Sequence, residues 1–69
     1  MEDSAVVGQV GEVVVRIRGA VGPGEVAVQV RGTTELLIAY AEEILERGTT
    51  VLVVTSRSNR AVDVVPWSQ

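Results

Sequence analysis

Three glutamates, Glu42, Glu43 and Glu46, cluster in a chain of 69 residues. Paired carboxylates are what acid–base cleavage of a glycosidic bond requires. They work only where burial drives their proton affinities apart. A chain this short has little room for such a cleft, so the trio reads as a solvated, charged surface. Two glycine patterns, Gly8-Gln9-Val10-Gly11 and Gly19-Ala20-Val21-Gly22-Pro23-Gly24, invite a phosphate reading. A phosphate cradle leads from a loop into a helix N-terminus. Valine-rich stretches follow both patterns here, so Gly8 and Gly11 read as a bulge or sharp strand bend of a small barrel. Arg16, Arg18 and Arg31 could track a phosphate backbone, but Glu12 and Glu25 are placed to neutralise two of them. Single-strand binders also stack bases on exposed aromatic rings, and only Tyr40 and Trp67 are available, in different segments.

The residues that are missing narrow the chemistry further. With no His and no Cys there is no Ser–His or Cys–His nucleophile and no zinc site of the usual kind. The cations are six Arg and no Lys, which excludes a P-loop lysine and a Schiff base. No DxDxDG-like spacing offers oxygen ligands to Ca²⁺. The expectation is a domain with no catalytic, cofactor-binding or metal-ligating residues. The formal charge of −3 is opposite in sign to the usual nucleic-acid footprint. The longest apolar runs, residues 36–41 and 51–54, fall far short of the ~20 residues of a membrane span. Met1-Glu2-Asp3 is acidic where a signal segment would be basic.

The elements must therefore hold a binding surface. Hydrophobic residues form 46% of the chain, sixteen of them Val, with no Phe. Branched side chains of medium size suit a pleated surface and a thin barrel. A chain this short forms one small domain, read as residues 6–67 after a polar lead at 1–5. Without disulfide or metal, its stability rests on apolar packing, on association, or on the rest of a longer protein.

Residues 11–18 and 25–31 both alternate with period two. Val13, Val15 and Ile17 face one way in the first, with Val14 outward; Val26, Val28 and Val30 face one way in the second. A hairpin whose partner numbers sum to 43 sets Val13 opposite Val30, Val15 opposite Val28 and Ile17 opposite Val26. The same register pairs Glu12 with Arg31 and Arg18 with Glu25. A second hairpin joins 49–56 to 61–66, with Val53 opposite Val64, Thr55 opposite Val62, Ser58-Asn59 at the tip, and Pro66 at a strand end or edge.

The middle segment carries two readings. Thr33 and Thr34 can cap a helix, Gly48 can end it, and Leu37, Tyr40, Ala41, Ile44 and Leu45 recur at helical spacing. The alternative is a strand over 36–41, with Leu36, Ile38 and Tyr40 on one side, and a turn through 42–47.

The order of these pieces is informative. Gly8-x-x-Gly11 precedes a valine-rich strand; Gly22-Pro23-Gly24-x-Val26-x-Val28 follows. Then come Ala39, Leu45-Glu46-Arg47-Gly48-x-x-Val51-x-Val53-Val54, and Val62-x-Val64-x-Pro66. This succession resembles the C-terminal domain of NfeD-like membrane proteins over nearly the whole chain. It departs at Leu37, where the family often has Trp, and in the longer stretch Gly32-Thr33-Thr34-Glu35-Leu36. The resemblance implies an all-β fold, a small five-stranded OB-type β-barrel, with room for one short helical turn over residues 42–46 between strands three and four. It moves residues 36–41 from helix to strand, because the barrel needs a fifth strand to close.

The resemblance also implies a function. The chain would be a non-catalytic interaction or scaffolding module of a membrane protein, anchored by segments outside this chain and acting beside a stomatin- or flotillin-like (SPFH) partner. The fold alone also allows an OB-type nucleic-acid or oligosaccharide binder; the negative charge and scarce aromatics favour the first reading. In an OB barrel the first strand pairs with the second and the fourth. Val14, Leu52 and Val54 then point outward and could adjoin as an apolar partner-binding patch.

Overall fold

Valine at alternate positions of four stretches, and Leu37 and Ala39 in a fifth, give each an apolar face, and closing the five on one another buries all of these faces. The computed structural model describes residues 4–58 and 60–68. Among the described residues seven strands form: β1 (Val10–Val15), β2 (Ile17–Arg18), β3 (Gly24–Val30), β4 (Thr33–Tyr40), β5 (Ile44–Leu45), β6 (Thr50–Ser58) and β7 (Ala61–Pro66). Five of them make a closed barrel in the order β1-β3-β4-β7-β6. Its first strand pairs with both the second and the fourth, as an OB-type barrel requires. All neighbours run antiparallel except β4 and β7, which are parallel. Strands β2 and β5 form a separate two-stranded sheet, and 3₁₀ turns occupy Ser4–Val6 and Gly19–Val21.

The core is almost entirely aliphatic: Val13, Val26, Val28, Val51, Val53, Val62 and Val64 meet inside the barrel with Ile17, Leu37 and Leu45. No helix among the described residues is long and apolar enough to cross a membrane.

The middle segment is a strand, and a longer one than the 36–41 expected. It begins at Thr33 because Arg31 and Gly32 form a two-residue turn, both with positive φ (54° and 79°), between the paired Val30 and Thr33. Positive φ at both central positions marks a type I′ hairpin. Leu37 and Ala39 are buried while Leu36 and Ile38 are exposed, a period of two in place of the helical period. A helix here could not satisfy the barrel, since β4 must bond β3 on one edge and β7 on the other. The helical turn allowed for residues 42–46 does not form. Those residues bend and then run as β5, which pairs with β2 and buries Leu45.

The first hairpin keeps its expected inner face except at Val15, but not its register. Gly11 stands opposite Val28 and Val13 opposite Val26, and after a bulge at Val14 the partner of Val15 is Glu25. The pairing number is 39 where 43 was expected. The shift is even, so Val13, Val26 and Val28 stay inside. The bulge turns Val15 outward, 49% exposed. The expected Glu12–Arg31 and Arg18–Glu25 pairs are lost, because exposed ion pairs contribute only about 0–1 kcal/mol and cannot oppose backbone sterics. At Gly11 a β-carbon would lie 2.6 Å from the Ala27 carbonyl oxygen, so the observed register needs glycine there. Arg16 instead donates to Glu46 at 3.2 Å, and Arg31 sits in the turn beyond Val30.

In the second hairpin Val53 does face Val64, but Thr55 faces Asp63 in place of Val62. The register slips at Val54 and again at Arg57, each an extra residue on β6. Pro66 ends β7. The expected tip at Ser58-Asn59 falls on Asn59, outside the described residues.

Candidate partner-binding surface

Strands β1, β6 and β7 lie side by side. Val10 is the partner of Leu52, and Leu52 of Val65. These three residues form one row across the outer wall, with Val10 41% and Val65 40% exposed and Leu52 half-buried. Three aligned apolar side chains face solvent where alternation with polar groups is the ordinary pattern.

The structure separates the three residues expected to adjoin. Leu52 sits opposite Val10, and the β1–β6 ladder ends at Glu12 opposite Thr50. Val14 lies beyond that end, half-buried at its bulge. Val54 is exposed at the β6 bulge next to the row. Val10 and Val65 were missed because a cross-strand row depends on the register of two ladders at once.

The two bulges of β6 also shape what lies beside the row. A bulge re-aims its extra side chain. The Arg57 guanidinium is carried over the Tyr40 ring, 3.8 Å from its centroid, and its Nη2 lies 2.9 Å from Asp63 Oδ1. Tyr40 and Asp63 are themselves partners in the parallel β4–β7 ladder, so three strands converge on one stacked cation. The hydrogen bond to Asp63 holds the Arg57 pKa above its ordinary value.

Val54 and Arg57 both line an open groove of about 780 Å³. The 19–23 loop, Glu42 and Glu43 line it as well. The groove and the outer row share Val65, and Val54 beside the row lines the groove as well. Among the described residues, no group of three or more Asp or Glu is placed to hold a metal ion. Glu46 is drawn to Arg16, while Glu42 and Glu43 are exposed.

Two solved structures resemble this arrangement. The soluble domain of the NfeD protein YuaF from Bacillus subtilis superposes with a TM-score of 0.74 and 31% identity, covering 90% of this chain and 74% of that one. The C-terminal domain of stomatin operon partner protein 1510-C from Pyrococcus horikoshii gives a TM-score of 0.68 and 27% identity, covering 93% and 91%. No curated protein matches the sequence. A barrel of this strand order, a family match over residues 10–65, and an NfeD soluble domain of the same fold at 31% identity agree: the chain belongs to the NfeD C-terminal domain family.

Proposed function

We propose that this domain is a non-catalytic interaction module of a membrane-anchored NfeD-like protein, and that it works with a stomatin- or flotillin-like partner. The observation that carries this reading is the outer-wall row of Val10, Leu52 and Val65. Contiguous exposed apolar surface of this kind commonly marks a protein contact. One structural relative is named a stomatin operon partner protein, which supports the class of partner. The absence of His, Cys and Lys from the sequence leaves few groups for catalysis, and the net charge of −3 disfavours a nucleic-acid backbone.

The test is co-isolation from membranes of the protein carrying this domain with the stomatin- or flotillin-like protein of the same organism. Val10→Glu and Val10→Arg should each reduce co-isolation sharply while the domain keeps its cooperative melt. Loss with both charges identifies an apolar contact. Unchanged co-isolation with both would remove this face as the partner site.

A further inference from the structure

The groove beside the outer row has features that the row alone does not use. Its lining mixes polar groups with the apolar side chains of Val21, Val54 and Val65. Val21 is 82% exposed, a large apolar side chain held out on the 3₁₀ turn of the 19–23 loop. That turn is fixed by the backbone: Gly19 has a φ of 66° and lies against the Glu42–Glu43 backbone, where a β-carbon would come within 3.2 Å of the Glu42 carbonyl oxygen. The loop and the acidic rim are thus held as one edge.

Charge decides what such a groove accepts. Its carboxylates are Glu42, Glu43 and Asp63, and its cation is Arg57. Arg57 is already committed to Asp63 and to the Tyr40 ring. Glu42 and Glu43 are exposed and make no ion pair among the described residues. The Arg18 guanidinium lies against Gly22 at the groove, so an occupant meets apolar side chains and two carboxylates that no cation holds in an ion pair among the described residues. The groove's volume of about 780 Å³ exceeds what a single small cation fills and suits several side chains. It is lined by the loop between the first and second barrel strands and by Tyr40 of the third, as well as by the fourth and fifth. Such a loop is one of the oligonucleotide-binding elements of OB folds, but the carboxylates here disfavour a phosphate backbone.

We propose that this groove docks a peptide segment of a partner protein that presents apolar side chains flanked by arginine or lysine. The apolar residues sit between Val21 and the Val54–Val65 wall, and the basic residue faces Glu42 and Glu43. This deepens the interaction-module reading and rests on it, because Val65 of the outer-wall row also lines the groove.

The experiment is an amide-shift titration of the ¹⁵N-labelled 69-residue chain with three synthetic dodecapeptides. One alternates Leu and Arg, one replaces Arg by Glu, and one replaces Leu by Ser. The Leu–Arg peptide should move the amides of Val21, Gly22, Glu42, Glu43 and Val65, and the other two should not. Two rim charges of ordinary surface strength predict that Glu42→Gln with Glu43→Gln weakens binding about tenfold at low salt, with unchanged spectral dispersion. Equal binding of the Leu–Glu peptide, shifts confined to another face, or no shift with any peptide would overturn the proposal. So would groove shifts on raising protein concentration alone, which would mean a second copy, or the same shifts with oligo-dT. If the titration fails while Val10→Glu still abolishes co-isolation, the groove is excluded and the interaction module stands. If Val10→Glu also leaves co-isolation intact, both readings fall.

Discussion

Gly24 lies so close to Val15 that a β-carbon on Gly24 would overlap the Val15 carbonyl oxygen, and that of Arg16 beside it. This contact is where β3 begins and where β1 leaves the barrel after its bulge at Val14. It fixes the start of the first ladder. Gly24→Ala must move backbone, not a flexible side chain, and should destabilise by about 3 kcal/mol. Gly48 has open space around it and a φ of 94°, so Gly48→Ala meets conformational strain alone and should cost about 1 kcal/mol. Urea midpoints of the two variants compare these costs, and equal midpoints would deny the close approach at Gly24.

Leu45 and Ile44 test the short sheet. Leu45 is 5% exposed and Ile44 54%, on opposite sides of β5. Leu45→Ala should lose about 3 kcal/mol, a large share of the stability of so small a domain. Ile44→Ala should stay within about 0.5 kcal/mol of the parent. A helical face over this segment would bury both residues and penalise both substitutions.

Arg31 is a non-glycine residue at a φ of 54°, a position where asparagine is favoured. Arg31→Asn should stabilise the β3–β4 hairpin by about 0.5–1 kcal/mol. A higher urea midpoint at unchanged slope is the expected result.

The Arg57 contact should be indifferent to pH in the ordinary range. Its pKa is raised, first by the hydrogen bond to Asp63. A group raised in the folded state contributes fully below its unfolded value and loses that contribution only as pH climbs through the folded one. Both values for arginine lie above the range in which proteins are usually studied. The difference in Tm between the parent and Arg57→Gln should therefore stay constant from about pH 6 to about pH 9. A difference that closes across that interval would show that another titrating group controls the stack.

Val10 and Val14 sit on the same strand, yet only Val10 belongs to the row with Leu52 and Val65. Val10→Glu should weaken partner co-isolation. Val14→Glu, at the half-buried bulge, should lower stability and leave partner binding of the folded fraction unchanged. Chemical denaturation run beside the co-isolation assay separates the two effects.

The sequence by itself determined which residues go inside. Period-two alternation put Val13, Ile17, Val26, Val28, Val30, Val51 and Val53 in the core, and all of them are buried; Val15, expected with them, is turned outward by the bulge at Val14. Face assignment is a local property, since side chains alternate along any strand whatever it pairs with. The ordered motif also identified the NfeD-type barrel, because glycines at turns and close approaches leave a recognisable spacing. The middle segment was ambiguous on its own: residues 33–48 satisfy a helical period and a strand period, and only the need to bond β3 and β7 together selects β4. The turn at Arg31 and Gly32 carried a readable Gly signal, but Arg masks the positive φ that Asn would have advertised.

Tertiary structure alone decided register and bulges. Apolar and charge pairing favoured a register four positions away from the one that forms. Those exposed pairs are weak beside the close packing at Gly11 and Gly24, which no strand shows in isolation. The bulges at Val14, Val54 and Arg57 follow from closing five twisted strands into one ring, each extra residue absorbing a mismatch between neighbouring ladders. The outer row, the Arg57–Tyr40 stack and the groove all depend on those slips, so the surface most open to a partner was the part least legible in the chain.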